Sequence, residues 1–144
     1  MKASAFFSDE DRKALHEAVH AAEKVTSGEI RLYIEDECVD DVMDRAAHIF
    51  ASLEMHKTKQ RNGVLIYLAF TKHKFAIIGD AGIHAIVGQD YWNSVKEVMR
   101  QHFTDGRITQ GLIEGITGAG EVLKTHFPYQ GGDRNELPDD IIIR

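Results

Sequence analysis

The sequence predicts an α/β fold, a three-layer α/β/α sandwich around a small mixed sheet. Residues 30–35 alternate apolar and polar side chains, which is the pattern of a β-strand. Residues 64–70 are apolar throughout, as expected for a central strand that is covered on both faces. A helical pattern over residues 42–53 separates the two, so we expect parallel strands joined by a right-handed crossover. Only residues 71–74 separate the second strand from a third over 75–78, and so short a connection predicts an antiparallel hairpin.

Helices are predicted before and after these strands. The first is capped by Ser8 or Asp9 and continues to about residue 25, with apolar side chains at helical spacing. After the third strand, a short helix over residues 83–87 precedes a longer one over 90–103, whose first residue is a suitable cap. The last helix is predicted over residues 108–126, between an Asp-Gly break and a proline.

The last predicted helix contains four glycines, at positions 111, 115, 118 and 120. Each glycine costs a helix about 1 kcal/mol relative to alanine, so four of them in one helix indicate a packing requirement. A membrane-type face of small residues is excluded because Glu114 and Glu121 interrupt it. We therefore expect close backbone packing of this helix against the sheet.

Composition and charge limit the classes of function. The chain has 144 residues, of which 43% are hydrophobic and 28% charged, and its formal net charge is −6. These values favour one globular domain and speak against nucleic-acid binding, since phosphates need a clustered basic surface. No signal peptide or membrane-spanning apolar segment is visible, and Cys38 is the only cysteine. We therefore expect a cytoplasmic protein without membrane insertion, with a single domain over residues 6–128 and a polar tail over 129–144.

Three polar turns that contain glycine are predicted to meet at one edge of the sheet. An antiparallel third strand ends beside the starts of the first two strands. The turn at residues 79–83 would therefore lie beside the turns at 26–29 and 61–63, although the three are distant in sequence. This edge is the candidate functional site, and the residues expected to line it include Ser27, Gly63, Gly79 and Gly82.

The other residues of these turns have the chemistry of a cation or anion site. Asp80 and Glu29 supply carboxylate oxygens and Asn62 an amide oxygen, which are the ligands that calcium and magnesium prefer. Arg61 could hold an anion through two hydrogen bonds. The helix that begins near Gly82 would present free backbone N–H groups to a phosphate or carboxylate. We therefore expect a divalent cation, calcium or magnesium, or a small anion at this edge.

Two other patterns compete with this interpretation. His16 and His20 match the HExxH pattern of zinc peptidases, but both lie off the apolar side of their predicted helix, and no third ligand follows at a familiar spacing. Acidic residues also cluster where the first strand ends, at the edge where ligands of α/β sheets usually bind. Consecutive acids in a loop are usually only solvated, so we expect this rival cluster to be the weaker candidate. Its members are Glu35, Asp36, Glu37, Asp40 and Asp41.

The motifs of the candidate edge resemble those of the TPM domain family. They are TSGEI at residues 26–30, RNGVLI at 61–66 and IGDAGI at 78–83. The resemblance covers roughly residues 6 to 130, and the segment Asn-Glu-Leu at 135–137 is similar to one in short, stand-alone bacterial members. Order and spacing of the three motifs agree with the family pattern.

The resemblance implies a small α/β/α sandwich and several family functions. One plant relative in the thylakoid lumen is described as an acid phosphatase that helps to repair photosystem II. Other relatives act in membrane-protein complexes or bind divalent metal. This chain departs from the pattern in having Arg61 where many members have aspartate, which removes one potential metal ligand.

Two functions of different classes follow as hypotheses. The first is a metal-dependent binding or interaction module for a protein partner, and its support is that catalytic groups are sparse. The alternative is metal-dependent hydrolysis of phosphate monoesters. In that reaction Asp80 and Glu29 would hold the metal, Asn62 would orient it, and Arg61 is the candidate catalytic residue that clamps the phosphoryl group.

Overall fold

A mixed sheet forms the middle layer of the protein. The structure, a computed structural model, describes residues 1–130 and 141–144. Over these residues the strands are β1 (Glu29–Glu35), β2 (Gly63–Ala69), β3 (Lys74–Gly79) and β4 (Ile141–Ile143). They lie side by side in the order β3-β2-β1-β4, so β1 and β2 are central and β3 and β4 form the edges.

The pairing of the strands confirms the predicted topology. β1 and β2 are parallel, with Glu29 opposite Gly63. β3 returns antiparallel to β2, with Gly79 opposite Val64. The mixed sheet and the α/β class therefore agree with the crossover and the hairpin that the sequence predicts.

The C-terminal residues provide the fourth strand. β4 is parallel to β1, with Ile141 opposite Leu32. From the sequence alone, the end of the chain could be an edge strand or a flexible end, and the structure shows a strand. The predicted polar tail, 129–144, falls largely on residues 131–140, which lie outside the described residues together with the segment 135–137.

Helices cover both faces of this sheet. In the described part of the chain they are α1 (Ala3–Phe6), α2 (Asp9–Glu23), α3 (Val42–Ser52), α4 (Ala81–Thr104) and α5 (Ile108–His126). The crossover helix α3 packs on one face, and α2, α4 and α5 pack together on the other. None of these helices has both the length and the apolar composition needed to cross a membrane.

Burial of β2 on both faces explains the layering. Every residue of β2 is buried. Its even-numbered side chains belong to the larger core, which α2, α4 and α5 complete. Its side chains at 65, 67 and 69 belong to a smaller core under α3. A strand without a solvent face requires a helical layer on each side.

Capping side chains determine where the helices start. Ser8 and Asp11 form a capping box at the start of α2, so of the two predicted caps, Ser8 and Asp9, the structure selects Ser8. Asp80 caps the helix that follows β3, so this helix begins slightly earlier than the expected residue 83. Gly88, with φ of 74°, kinks α4 near the point where the sequence predicts the boundary between two helices.

The glycines of α5 serve contacts between helices. A Cβ at Gly111 would lie 2.5 Å from Phe103 Cε1 of α4, and one at Gly120 would lie 2.9 Å from Ala22 Cβ of α2. The two glycines between them also face side chains of α4. Close packing is confirmed, but the partners are mainly α4 and α2, and the expected sheet is approached at Gly115, whose Cβ position lies 3.4 Å from Ile66 Cδ1.

Gly111→Val is expected to destabilise the fold, although glycine is a poor helix former. The new side chain would press on the Phe103 ring and on the Met99 carbonyl oxygen, 3.2 Å from the Cβ position, so α5 would have to move away from α4. We expect the free energy of unfolding, measured by urea denaturation, to fall by about 2 kcal/mol, as in other overpacked cores. Gln110→Val introduces the same side chain at an exposed neighbour. Equal losses in the two variants would contradict the packing role.

Candidate functional site

The three predicted turns lie together at one edge of the sheet. β1 and β2 start side by side, with Glu29 opposite Gly63. The Asp80 backbone N–H donates to the Gly63 carbonyl oxygen at 2.8 Å, so β3 ends at the same edge. The turn at 26–28, which leads into β1, lies at this edge as well. A Cβ at Gly28 would be 3.2 Å from the Asn62 carbonyl oxygen.

Arg61 and Asp80 form a bidentate ion pair at this edge. Arg61 Nε donates to Asp80 Oδ2 at 2.6 Å and Nη2 to Oδ1 at 2.8 Å. The Asp80 side chain is only 6% exposed, whereas that of Arg61 is 50% exposed. The hydrogen bonds to this carboxylate, and then its charge, raise the pKa of the Arg61 guanidinium. Arg61, the residue expected to hold an anion from solution, is therefore paired with a carboxylate of the protein.

The backbone of Arg61 is joined to the start of α4. The Gly82 and Ile83 N–H groups donate to the Arg61 carbonyl oxygen at 2.8 and 3.2 Å. The Ala81 N–H donates to Asp80 Oδ1 at 2.8 Å. The backbone N–H groups that were expected to be free for an anion are thus already bonded within the chain, which corrects that part of the prediction.

Gly82 is required by this contact. A Cβ at Gly82 would lie 2.1 Å from the Gln60 carbonyl oxygen and 2.7 Å from that of Arg61. Both are backbone atoms, so the loop before β2 could not stay in place beside a larger residue. Arg61 itself has φ of 51°, a left-handed conformation that non-glycine residues seldom adopt. The close approach therefore constrains both the loop before β2 and the start of α4.

Asn62 is buried beside Ser27 and retains an unsatisfied oxygen. Asn62 is 1% exposed, and its Nδ2 donates to Ser27 Oγ at 3.3 Å. Gln60 Nε2 donates to the same hydroxyl oxygen at 3.2 Å. Asn62 Oδ1 has no hydrogen-bond partner among the described residues. Buried acceptors in native proteins are almost always paired, so this oxygen is available to accept from a ligand or a water molecule.

Glu29 lies at the same edge but is engaged elsewhere. Its carboxylate pairs with the buried Arg31, at 3.4 Å between Arg31 Nη2 and Glu29 Oε2. Arg31 also contacts Glu23 of α2, at 3.3 Å. Because β2 lies between β1 and β3, the backbones at Glu29 and Asp80 are two strand spacings apart, about 10 Å. Over the described residues, no group of three or more His, Cys, Asp or Glu side chains is arranged to hold a metal ion.

The sequence pattern did not predict the burial of Arg31. Alternation along β1 indicates a polar, solvent-facing side, yet Arg31 is 2% exposed. Its partners explain how a charge is tolerated there: two carboxylates and the Ile30 carbonyl oxygen, which accepts from Nη1 at 2.8 Å. Gln60 was also missed, since its side-chain contact with Ser27 and the approach of its carbonyl oxygen to Gly82 arise only in the folded chain.

The remaining glycines of the edge make room for side chains of the two cores. A Cβ at Gly63 would lie 3.0 Å from the Met55 carbonyl oxygen. One at Gly79 would lie 2.8 Å from Trp92 Cζ2. Both positions therefore depend on packing as well as on turn geometry.

The rival acidic cluster at the opposite edge has structural partners. Glu35 accepts two hydrogen bonds from Arg45, at 2.8 and 2.9 Å, and one from the Tyr67 hydroxyl. Asp36 accepts from the Ala3 backbone N–H at 2.7 Å, and Asp41 caps α3. These contacts tie helices to β1 and β2.

The histidines of the HExxH pattern are both exposed on α2. His16 and His20 lie on the side of the helix away from its buried residues, Leu15 and Val19. This placement agrees with the expectation that the match to the peptidase pattern is accidental.

Comparison with known proteins identifies the family. A family model described as the TPM domain matches residues 1–122, which include all three turns of the candidate edge. The chain belongs to the TPM domain family. The resemblance of the three motifs is thereby confirmed.

Solved structures of similar proteins agree with this assignment. The NMR structure of BA42 protein from the psychrophilic bacterium Bizionia argentinensis is 42% identical, with a TM-score of 0.88 over 95% of this chain and 94% of that chain. The solution NMR structure of the N-terminal domain of a P. gingivalis protein is 17% identical, with a TM-score of 0.69 over 83% of this chain and 78% of that one. The latter shows the shared fold alone. Comparison with curated proteins gave no match.

The Glu35 cluster of this TPM domain is expected to make its stability depend on pH. Hydrogen bonds from Arg45 lower the pKa of Glu35 below its ordinary value of 4.5, against the opposing effect of burial, and Tyr67 adds to the lowering. A lowered pKa in the folded state means that the stabilisation is complete above the unfolded pKa and is lost as pH falls through the folded pKa. Urea denaturation between about pH 6 and about pH 3 should therefore show a shallower loss of stability for Glu35→Gln than for the wild type.

Glu37→Gln provides the matched control, because Glu37 is an exposed glutamate two residues away. This variant should keep the pH dependence of the wild type. If both variants lose less stability than the wild type as the pH falls, the Glu35 contacts are not the cause of the pH dependence.

Proposed function

We propose that this TPM domain is a divalent-cation-dependent binding module. The proposed cation ligands are Asp80 and Asn62, at the edge formed by the turns at 26–29, 61–63 and 79–83. Glu29, which the sequence suggested as a third ligand, is left out because its carboxylate pairs with Arg31. Calcium or magnesium fits the oxygen chemistry of the remaining donors.

The observation that carries the proposal is the unsatisfied oxygen of Asn62. Within the described chain, no donor meets Asn62 Oδ1, although the side chain is buried. Leaving a buried acceptor unpaired costs about 1–3 kcal/mol, so it is a feature that a ligand would be expected to relieve. Amide oxygens of this kind are common ligands of calcium. Contacts with Ser27 hold the amide in one orientation and favour this role.

The ion pair of Asp80 supplies the negative charge that a cation needs. Arg61 is half exposed, and its guanidinium can leave the carboxylate by rotation of its own side chain. Asp80 would remain in place, because the Ala81 N–H also holds it. A cation and Arg61 would therefore compete for the same carboxylate.

This competition suggests how cation binding would be coupled to a partner. Arg61 released from Asp80 would be an exposed, fully charged group, free to bind a carboxylate of a protein partner. The partner class follows the family resemblance, which includes members of membrane-protein complexes. The module would then bind its partner more strongly when the cation is present.

Hydrolysis of phosphate monoesters at the same edge is the alternative function. It is favoured by the exposure of Arg61, which could clamp a phosphoryl group once it is free of Asp80. It is weakened by the surroundings of Ser27, whose hydroxyl accepts from two side-chain amides and, among the described residues, donates to no histidine. We therefore rank it second.

Calcium or magnesium is expected to raise the melting temperature of the protein after it has been freed of metal. A ligand at about 100 times its Kd stabilises the native state by about 2.7 kcal/mol. For a domain of this size, the shift corresponds to roughly 5–10 °C. Asp80→Asn should remove most of the shift, while asparagine can still cap α4. Arg61→Met should increase cation affinity, since the competitor for Asp80 is gone, and titration calorimetry would measure the change.

Asp36→Asn, at the opposite edge, is the matched control and should leave the cation response intact. A response lost in Asp36→Asn and kept in Asp80→Asn would refute the proposed location. Hydrolysis of a generic phosphomonoester that requires the metal and is lost in Arg61→Ala would favour the alternative function.

A further inference from the structure

β3 is an edge strand whose outer side is free in the described part of the chain. The Asp80 N–H bonds to Gly63, so the positions of β3 that bond to β2 are 80, 78, 76 and 74. Alternation then directs the N–H and C=O groups of Phe75, Ile77 and Gly79 away from the sheet. No hydrogen bond to these groups is made by the residues that the structure describes. Such a row of unpaired groups is a template for one more strand.

A groove follows this free edge. Its floor is Ile77, Ile78 and Gly79, and its volume is about 410 Å³. One wall is α3, through Met43, Asp44 and Ala47, and the other is α4, through His84, Gln89 and Trp92. Met43 is 41% exposed, so the groove offers apolar surface next to backbone hydrogen-bonding groups.

Trp92 adds a second unsatisfied group beside the groove. The residue is 1% exposed, and its Nε1 has no hydrogen-bond partner among the described residues. The indole lies against the end of β3, because a Cβ at Gly79 would be 3.2 Å from Trp92 Cε2, the carbon bonded to Nε1. A buried indole N–H without an acceptor is unusual, and a small shift of the residues that cover it would let a backbone carbonyl in the groove accept from it.

The groove favours a single extended segment over a second copy of the chain. Pairing of two β3 edges would also require the α3 and α4 walls of the two copies to pack against each other. An extended segment needs only the strand edge and the groove between α3 and α4.

The charges near the groove indicate the chemistry of that segment. Lys96 Nζ and Arg100 Cζ lie over the Phe75 ring, at 5.8 and 5.1 Å from its centroid, and Lys74 is exposed beside them. Asp44 is the acidic residue among those lining the groove. Glu97 pairs with Arg100 at 3.7 Å, but the three basic groups still outnumber it where β3 begins, which favours a ligand with an acidic residue at that end.

We propose that β3 binds an extended peptide segment of a partner protein, which adds to the sheet as a further strand. The segment carries aliphatic side chains at alternate positions and an acidic residue beside Lys74, Lys96 and Arg100. Its backbone pairs with Ile77 and Gly79. This surface is separate from the proposed cation ligands, although Gly79 adjoins Asp80.

The test uses the peptide acetyl-Asp-Val-Thr-Val-Thr-Val-Asp-amide, titrated into the isotope-labelled full chain in the presence of EDTA. Nuclear magnetic resonance should show saturable shifts of the Trp92 indole N–H. The backbone N–H groups of Phe75, Ile77 and Gly79 should gain protection from hydrogen exchange. Those of Ala76 and Ile78 should change little, because they already bond to β2. A form of the peptide N-methylated at alternate residues should not bind.

Matched variants on α3 separate groove binding from other effects. Ala47→Arg places a long side chain in the groove at an exposed helical position and should weaken binding about tenfold or more. Ala51→Arg, the same change one turn further along α3 and outside the groove, should keep the wild-type affinity and melting temperature. Equal binding by Ala47→Arg, equal binding by the N-methylated peptide, or protection that depends on protein concentration without peptide would each overturn the proposal. EDTA keeps this outcome independent of the cation experiment.

Discussion

Burial of β2 on both faces is the constraint on which the rest of this structure depends. A strand with no solvent-facing side chains needs helices above and below it, and the crossover helix α3 covers only one face. The chain covers the other face with α2, which precedes β1, and with α4 and α5, which follow the hairpin. α4 does so by starting directly at the end of β3, beside the loop that leads into β2. The candidate site is the place where these two segments meet.

Contacts at this meeting point are mostly between backbone atoms. The carbonyl oxygen of Arg61 takes the first N–H groups of α4, and Gly82 allows the approach. The side chains then complete the arrangement, with Arg61 bound to Asp80 and Asn62 held by Ser27. One unsatisfied oxygen held by Ser27 is the reason to consider a small ligand at this edge, and a cation that also binds Asp80 would have to displace only the half-exposed Arg61 side chain.

Much of this edge could be predicted from the sequence, and the contacts within it could not. Parallel and antiparallel pairing follow from connection lengths, so the convergence of residues 26–29, 61–63 and 79–83 could be expected before the structure was known. The ion-pair partners of Asp80 and Glu29 could not be predicted. Each carboxylate has its own arginine, Arg61 or Arg31, because β2 separates them. No local pattern reports which of several nearby charges a side chain will reach.

The sequence by itself determined the α/β class, the β1-β2-β3 topology, the start of α2 to within one residue and the family. These features depend on the spacing of apolar residues and on the lengths of connections, and both can be read from consecutive residues. Only the tertiary structure decided the burial of Arg31, the partners of the α5 glycines, the position of β4 and the groove beside β3. Each of these depends on which helices and strands contact one another in the folded chain. Hydrophobic periodicity indicates that a side chain is buried, but it does not indicate which element buries it.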